Sequence, residues 1–398
     1  HGQFKSISSN AVGGGAVAWG DSDNDGDLDL LLSGGLHKPK LYRNDGKEQF
    51  VDLNLKIPEY GAPVVWGDYD NDGDLDFMTT GTDTAVKIEE RIYYLRIYRN
   101  DGIKANTKPA PLTNLTTVVS RDSVVFRWTK SQDYETPTSG LSYNLSVGTS
   151  PASSNIVSPM ANLSTGHRLV ANVGNAGQSA MWKIKNLSGG KYYWSVQAID
   201  HAFAGSEFAP TQSFVVPPAP PQLLSPENAS TWVPVSTTLV WNKSAGTDDY
   251  RVQVSSMQNF STFIYNKSVG VDTSVKIEVL EKGTIYYWRV RAANAGGTSE
   301  SLVSHFTTVL AVPELLLPAD SAVGIPTEVT CRWRAVKGAE FYVLHVARDK
   351  SFQMGLQNYS GIIDTAFKIF GLAPNVAYYW RVAAGHAGKL SDWSQVRF

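Results

Sequence analysis

An acidic pattern that occurs twice is the feature that most constrains this chain. Asp-Asn-Asp-Gly-Asp-Leu-Asp spans residues 23–29 and returns at residues 70–76, an offset of 47 residues. Each copy follows Trp-Gly-Asp, and each unit closes with Tyr-Arg-Asn-Asp-Gly, at residues 42–46 and 98–102. Self-similarity of this kind indicates a repeat architecture. Short apolar runs separated by Gly and Asp turns favour a four-stranded unit of the β-propeller type.

The two repeat units differ in length and leave sheet edges open. Their closing motifs lie 56 residues apart, so the second unit has nine extra residues, which we place within 82–95. Gln3-Phe4 aligns with Gln49-Phe50, so we expect the chain to begin inside a preceding unit and to be part of a longer protein. A propeller needs about 4–8 blades, so two units leave edges that something else must cover.

A longer repeat occupies the rest of the chain. Strand-like triplets that end in Trp128, Trp241 and Trp333 are each followed by a Tyr-Tyr-Trp-x-Val run. The Trp-to-Tyr spacing is 64, 45 and 45 residues, so we expect an insertion within 150–180 of the first copy. Alternating strands, frequent turns and units of about 90–110 residues are typical of β-sandwiches. The insertions at 82–95 and 150–180 are candidates for partner contacts, or are ordinary longer loops.

The predicted fold class is all-β, with two propeller-type β-repeats followed by three β-sandwiches in tandem. Pro-rich segments near 104–111, at 217–221 and near Pro313 mark the joints. The predicted domains are residues 1–103 (two repeats), 108–216 (first sandwich, with the insertion), 217–309 (second sandwich) and 310–398 (third sandwich, with its last strand truncated).

Charge and cysteine content exclude several classes of protein. Residues 1–102 have a net charge of −8 and the remainder +6, for a total of −2. We therefore expect no nucleic-acid partner. No run approaches the roughly 20 apolar residues of a membrane helix, so we expect no transmembrane segment. The single cysteine, Cys331, cannot form an internal disulfide or a Cys-rich zinc site, and its alternation with Trp333 predicts a buried thiol.

The two acidic segments, residues 21–29 (the first acidic loop) and 68–76 (the second acidic loop), are the candidate functional site. Carboxylates at loop positions 1, 3, 5, 7 and 9, with Gly at position 6, can surround a hard cation, and oxygen ligands favour Ca²⁺. An EF-hand needs Glu at position 12, where Leu32 and Thr79 stand. A solvated turn without an ion is the simpler alternative, but its duplication argues against it. We predict two Ca²⁺ sites, with these ligands: Asp21, Asp23, Asp25, Asp27, Asp29, Asp68, Asp70, Asp72, Asp74 and Asp76.

On these motifs, residues 1–102 resemble the FG-GAP/VCBS repeats of integrin-like propellers. Residues 108–398 look like three fibronectin type III domains. Tyr192, Tyr286 and Tyr378 resemble the tyrosine-corner residue of that fold, and are expected to pack over the three tryptophans named above. The first sandwich is similar to a domain that follows such repeats in large secreted bacterial surface proteins. The resemblance implies an extracellular or cell-surface location and export by a type IX route.

No motif for catalysis is present. The seven histidines are scattered, and no His-Glu-x-x-His, Gly-x-Ser-x-Gly, P-loop or dinucleotide fingerprint occurs. We therefore predict that the chain is not an enzyme. Our leading hypothesis is a calcium-stabilised, extracellular structural or adhesive surface protein, whose partners are other protein chains. One form of it is a subunit of a larger assembly or filament built from copies of the same chain. The alternative is the accessory, glycan- or protein-binding region of a larger secreted enzyme.

Surface glycans are a further predicted partner or modification. Asn-x-Ser/Thr triplets are more frequent than chance, although Asn and Ser are also common in turns. The nine acceptor positions are Asn114, Asn144, Asn162, Asn186, Asn228, Asn242, Asn259, Asn266 and Asn358.

Overall fold

The structure is a computed structural model. It describes residues 15–34, 37–47, 49–58, 60, 63–70, 72–82, 92–102, 104–120, 122–278 and 280–398. Every regular element in these ranges is a β-strand, which confirms the all-β prediction. No helix that could span a bilayer occurs among them. The chain forms two compact units, one of residues up to 187 together with 191–216, the other of residues 217–398 together with 188–190.

The first repeat is an antiparallel meander of four strands in sequential order. Alternate side chains point to opposite faces of a strand, which buries Leu31 and Leu41 on the inner face. The strands are β1 (Ala16–Gly20), β2 (Asp29–Gly34), β3 (His37–Asn44) and β4 (Phe50–Asp52).

The second repeat has three strands among the described residues, where the sequence predicted four. They are β5 (Val64–Gly67), β6 (Asp76–Thr82) and β7 (Tyr93–Tyr98). After β7 the chain turns back along the first repeat, where the Lys104 carbonyl accepts a hydrogen bond of 2.8 Å from the Asn24 side chain. Pro109 and Pro111 follow, and proline has no N–H to donate to a strand ladder. Residues 83–91, most of the predicted insertion, lie outside the described residues.

The first sandwich has two three-stranded sheets, ordered β8-β9-β11 and β10-β12-β13. Phe126, Leu145 and Trp194 from both sheets meet in one buried cluster. Its strands are β8 (Thr116–Val119), β9 (Ser123–Arg127), β10 (Ser142–Gly148), β11 (Met181–Lys185), β12 (Gly190–Ile199) and β13 (Gln212–Val216).

The insertion predicted within 150–180 covers an edge of the first sandwich. It pairs with the outer side of β10 through bonds such as Tyr143 N–H to the Gly177 carbonyl, 2.8 Å, and Asn175 Nδ2–H to the Leu145 carbonyl, 2.8 Å. All seven residues of β10 are buried as a result. The insertion therefore satisfies backbone groups that an edge strand would leave unpaired.

The second and third sandwiches also have two sheets each, of three and six strands in the second and of three and four strands in the third, around their own buried clusters. The second has strands β14 (Leu223–Ser225), β15 (Ser230–Val233), β16 (Thr237–Trp241), β17 (Asp249–Ser255), β18 (Tyr265–Ser268), β19 (Ser274–Ile277), β20 (Ile285–Asn294), β21 (Gly297–Glu300) and β22 (Ser304–Thr308). The third has strands β23 (Leu315–Leu317), β24 (Val329–Trp333), β25 (Phe341–Ala347), β26 (Gln357–Ile362), β27 (Ala366–Ile369), β28 (Tyr379–His386) and β29 (Lys389–Leu390).

Each sandwich core contains a tryptophan in contact with a tyrosine that the sequence analysis did not single out. The rings of Trp128, Trp241 and Trp333 lie 5.4–5.7 Å from those of Tyr143, Tyr250 and Tyr342, respectively. Those three tyrosines lie on the strand after the tryptophan, which crosses to the facing sheet.

Two of the predicted corner tyrosines make the hydrogen bond typical of a tyrosine corner. The hydroxyl of Tyr286 accepts the Glu281 N–H at 3.0 Å, and that of Tyr378 accepts the Ala373 N–H at 3.0 Å. Cys331 is 1% exposed in the core of the third sandwich, which confirms the buried thiol.

Candidate metal centre

The first acidic loop folds around its own carboxylates. The N–H groups of Asp25 and Gly26 donate to the two oxygens of Asp21, at 3.1 and 2.9 Å. The N–H of Asp27 donates to Asp25 Oδ1 at 2.9 Å. Gly26 has a φ of +99°, which glycine adopts without a Cβ penalty, so position 6 permits the turn.

The second acidic loop has the same internal hydrogen bonds at the same positions. The N–H groups of Asp72 and Gly73 donate to the two oxygens of Asp68, both at 3.2 Å. The N–H of Asp74 donates to Asp72 Oδ1 at 3.0 Å. The repeated motif therefore produces one loop conformation twice.

The last aspartate of each loop joins the loop to the closing motif of its repeat. Asp29 accepts the N–H of Asn44 at 2.9 Å, and Asp76 accepts the N–H of Asn100 at 2.7 Å. The second oxygen of each carboxylate accepts the N–H of the residue after loop position 1, at 2.8 and 2.9 Å. Position 9 therefore fixes the loop ends, a role that the sequence analysis did not assign to it.

Arginines of the closing motifs lie beside the loops. Arg43 lies 2.7 Å from the carboxylate of Asp45 and 3.9 Å from that of Asp23. In the second repeat, Arg99 lies 4.0 Å from Asp70. The sequence analysis did not include these arginines, or the asparagines that follow them, in the candidate site. The closing motif occurs once after each acidic loop, and this repetition could have indicated that the two belong together.

Three carboxylates of each loop offer oxygens within 4.8 Å of one another. The first group is Asp21, Asp23 and Asp25, and the second is Asp68, Asp70 and Asp76. The remaining predicted ligands lie outside these groups: Asp27, Asp29, Asp72 and Asp74.

Position 7 of each loop faces the closing turn of its repeat. The carboxylates of Asp27 and Asp74 lie against Gly46 and Gly102, respectively. Asp74 also accepts a hydrogen bond of 2.8 Å from the Asn24 side chain, which links the two loops directly. The side chains at position 7 are thus engaged with neighbouring protein groups.

Burial makes the first loop electrostatically costly without a cation. Asp21 is fully buried, and its desolvation raises the pKa of the carboxyl to about 7. Burial also raises the pKa values of Asp23 and Asp29, with the charge of Asp25 as a further cause. A buried carboxylate resists ionisation because it loses hydration and faces other negative charges.

The donor set fits Ca²⁺. Two oxygens bound to one Ca²⁺ at 2.3–2.6 Å lie at most about 5 Å apart, and each three-carboxylate group meets that limit. In the first loop, Asp23 Oδ1 and Asn24 Oδ1 are buried without a hydrogen-bond partner. Asp21, Asp23 and Asp25 would hold one ion, and Asp68, Asp70 and Asp76 the other. A bound ion would supply positive charge that cancels the repulsion between the carboxylates.

The first sandwich contacts the first acidic loop, which no sequence signal indicated. The carbonyl of His201 accepts the Asp21 N–H at 3.1 Å, and His201 Nδ1 lies 2.9 Å from the Gly26 carbonyl. Ala202 is buried in the same apolar cluster as Leu31 and Trp66 of the repeats. Residues 200–205, the docking turn, therefore pack between the sandwich and the repeats.

The predicted glycan acceptors are exposed at eight positions and buried at one. Asn144 is 1% exposed on β10, and its Nδ2 donates to Gln197 Oε1 at 3.3 Å. A folded chain cannot present that side chain to a glycan-transferring enzyme. The exposed acceptors are Asn114, Asn162, Asn186, Asn228, Asn242, Asn259, Asn266 and Asn358.

Comparison with known proteins supports the repeat assignment. A family model described as an FG-GAP-like repeat matches residues 21–79, which include both acidic loops. No curated protein matches the chain. These residues are thus similar to FG-GAP-like repeats, whereas export by a type IX route stays a prediction.

Among solved structures, the chain is similar to the crystal structure of the FN1–FN3 domains of chicken CNTN1. The identity is 18%, and the match covers 73% of this chain and 98% of that chain, with a TM-score of 0.23. The sandwich assignment given above depends on the strand pairing and the buried clusters.

Proposed function

We propose that this chain is a non-catalytic, calcium-stabilised structural or adhesive part of an extracellular protein. The observation that carries the proposal is the duplicated acidic loop, with three clustered carboxylates in each copy and the same hydrogen-bonded frame. Calcium is a common stabiliser of extracellular modules, where its concentration suffices for weak sites. FG-GAP-like repeats and tandem sandwiches are typical of such proteins.

An exposed apolar face on the second repeat supports an assembling form of this function. Tyr93, Leu95 and Ile97 alternate along edge strand β7 and are 72%, 63% and 48% exposed. Val65, on β5 of the same sheet, is 47% exposed. An apolar edge of this kind favours association with another chain.

Light scattering of the full chain, with calcium and again after chelation, tests this proposal. We expect large particles in calcium that dissociate on chelation. Leu95→Glu should reduce the particle size, whereas Val118→Glu, at an exposed site on β8 of the first sandwich, should not. Monomers in both conditions would contradict the assembling form, and particles indifferent to chelation would contradict the calcium dependence.

A second candidate is an accessory binding region of a larger secreted enzyme. A cavity of about 400 Å³ lies between the second acidic loop and residues 166–171 of the insertion, and Lys108 and Arg168 line part of it. Cavities of this volume accommodate small ligands. A glycan array probed with the full chain would support this alternative through saturable binding that Arg168→Ala removes, and an array without binding would contradict it.

A further inference from the structure

The two acidic loops have the same internal frame but different surroundings. Asp21 is fully buried, whereas Asp68, at the same position of the second loop, is half-buried. A Cβ placed on Gly26 would lie 2.0 Å from the carbonyl oxygen of Glu135 in the first sandwich. A Cβ placed on Gly73 would meet nothing within 4 Å. The sandwich therefore encloses the first loop and leaves the corresponding part of the second loop open.

The enclosure of the first loop is made by specific contacts of the docking turn. His201 contacts the first loop at two points. Its carbonyl accepts the Asp21 N–H at 3.1 Å, and its Nδ1 lies 2.9 Å from the Gly26 carbonyl oxygen. The N–H of His201 donates to Thr136 Oγ1 at 3.1 Å, so a second segment of the sandwich holds His201 in place. Ala202 is buried in the apolar cluster of the repeats.

From this asymmetry, we propose that the first sandwich is part of the first calcium site, with His201 as a positioning residue that makes this loop bind Ca²⁺ more tightly than the second. A loop that is held in its binding conformation before the ion arrives loses less conformational entropy on binding. Site rigidity is one of the properties that set calcium affinity. The inference rests on the calcium binding proposed above.

If His201 positions the first loop, calcium binding and docking of the first sandwich are energetically coupled. If docking of the sandwich strengthens calcium binding, calcium binding strengthens docking by the same factor. The first ion would therefore fix the repeats to the first sandwich, whereas the second ion would stabilise the second repeat and its hydrogen bond to the first loop.

Isothermal titration calorimetry of the chelator-treated full chain with CaCl₂ tests the proposal. We expect two ions per chain, with dissociation constants that differ by about tenfold or more. Asp23→Asn should remove the tighter site and Asp70→Asn the weaker one, since the two residues occupy the same loop position. Two sites of equal affinity, or the reverse assignment, would overturn the proposal, whereas the absence of any calcium binding would overturn the proposed function itself.

His201→Ala provides the direct test of the positioning role. It should weaken the tighter site about five- to tenfold, the value of one hydrogen bond, and leave the weaker site unchanged. Lys183→Ala, at an exposed position on β11 of the same sandwich, is the control and should change neither site. Equal weakening of both sites by His201→Ala, or no weakening of either, would contradict the proposal.

A pair of glycine variants checks the same contact if His201→Ala fails to fold. Gly26 and Gly73 have nearly equal φ values of +99° and +97°, so alanine imposes the same backbone strain at both. Only at Gly26 does the added methyl group also collide with the sandwich. Gly26→Ala should therefore reduce the calcium affinity of the first site several-fold more than Gly73→Ala reduces that of the second site. Equal reductions would contradict the enclosure of the first loop by the sandwich.

Discussion

Individual aspartates of the chain have separate roles that their spacing does not reveal. Asp21 and Asp68 organise the turn of each loop, and Asp29 joins its loop to the closing motif. Asp200, on the docking turn, is buried without belonging to either three-carboxylate group. Its oxygens accept the Ala204 N–H at 2.7 Å and the Asn106 Nδ2–H at 2.9 Å. The environment of each carboxylate, rather than its position in the sequence, determines what it does.

Asp200 predicts a pH dependence of stability. Burial raises its pKa to about 7, so between about pH 4 and 7 the folded chain holds a proton that the unfolded chain has released. Stability should therefore fall as pH rises through this range, by up to about 1.4 kcal/mol per pH unit, and level off above pH 7. Asp200→Asn removes this contribution, since Asn106 can rotate its amide to donate or accept.

The measurement is the melting temperature of the first unit at pH 5, 6, 7 and 8 in saturating calcium. Asp200→Asn should gain stability relative to the unmodified chain as the pH rises. Asp122→Asn, at an exposed carboxylate of the same sandwich, should follow the unmodified chain. Parallel profiles for all three proteins would show that Asp200 is ionised in the folded state.

At the scale of elements, the sandwiches are held by a recurring pair of aromatic contacts. A tryptophan of an early strand packs on a tyrosine of the facing sheet, whose hydroxyl accepts a backbone N–H of the loop that follows the tryptophan. In the second sandwich this bond joins Tyr250 to Ser244 at 2.6 Å. In the second and third sandwiches the corner tyrosine fixes a different loop, so each of these two sandwiches connects two loops to its core through phenolic hydroxyls.

Tyr286→Phe isolates one of these bonds in the second sandwich. The variant keeps the ring against Phe306, 6.0 Å between centroids, and removes only the hydroxyl that accepts the Glu281 N–H. We expect a loss of about 1 kcal/mol in the free energy of unfolding of the second unit, measured by urea titration. Tyr287→Phe, at the neighbouring half-buried ring, is the control and should be nearly neutral. A neutral Tyr286→Phe would mean that water replaces the lost acceptor.

Elements that depend on neighbouring residues could be predicted from the sequence, whereas contacts between distant residues could not. The acidic loops follow from Asp and Gly spacing within nine residues, and the strands follow from alternation, so both were predictable. The contact of His201 with Asp21 joins residues 180 positions apart, and no local pattern encodes it. The second repeat has three strands among the described residues for a similar reason, because the Lys104 contact with Asn24 also joins residues far apart in the sequence.

At the scale of the whole molecule, calcium should affect one compact unit and not the other. Both three-carboxylate groups lie in the first unit, together with the sandwich that encloses the first loop. Within the described part of the second unit, no comparable group of metal-ligating side chains occurs. We therefore expect the stability of the first unit to depend on calcium and that of the second unit not to.

Differential scanning calorimetry of the full chain, in calcium and in chelator, tests this central claim most directly. Calcium at 100 times the dissociation constant should stabilise the first unit by about 2.7 kcal/mol per site. It should not shift the unfolding transition of the second unit, which Tyr286→Phe identifies by lowering it. In the double variant with Asp23→Asn and Asp70→Asn, calcium should no longer shift the unfolding transition of the first unit. A trace that is the same in calcium and in chelator, or a shift confined to the second unit, would contradict the account.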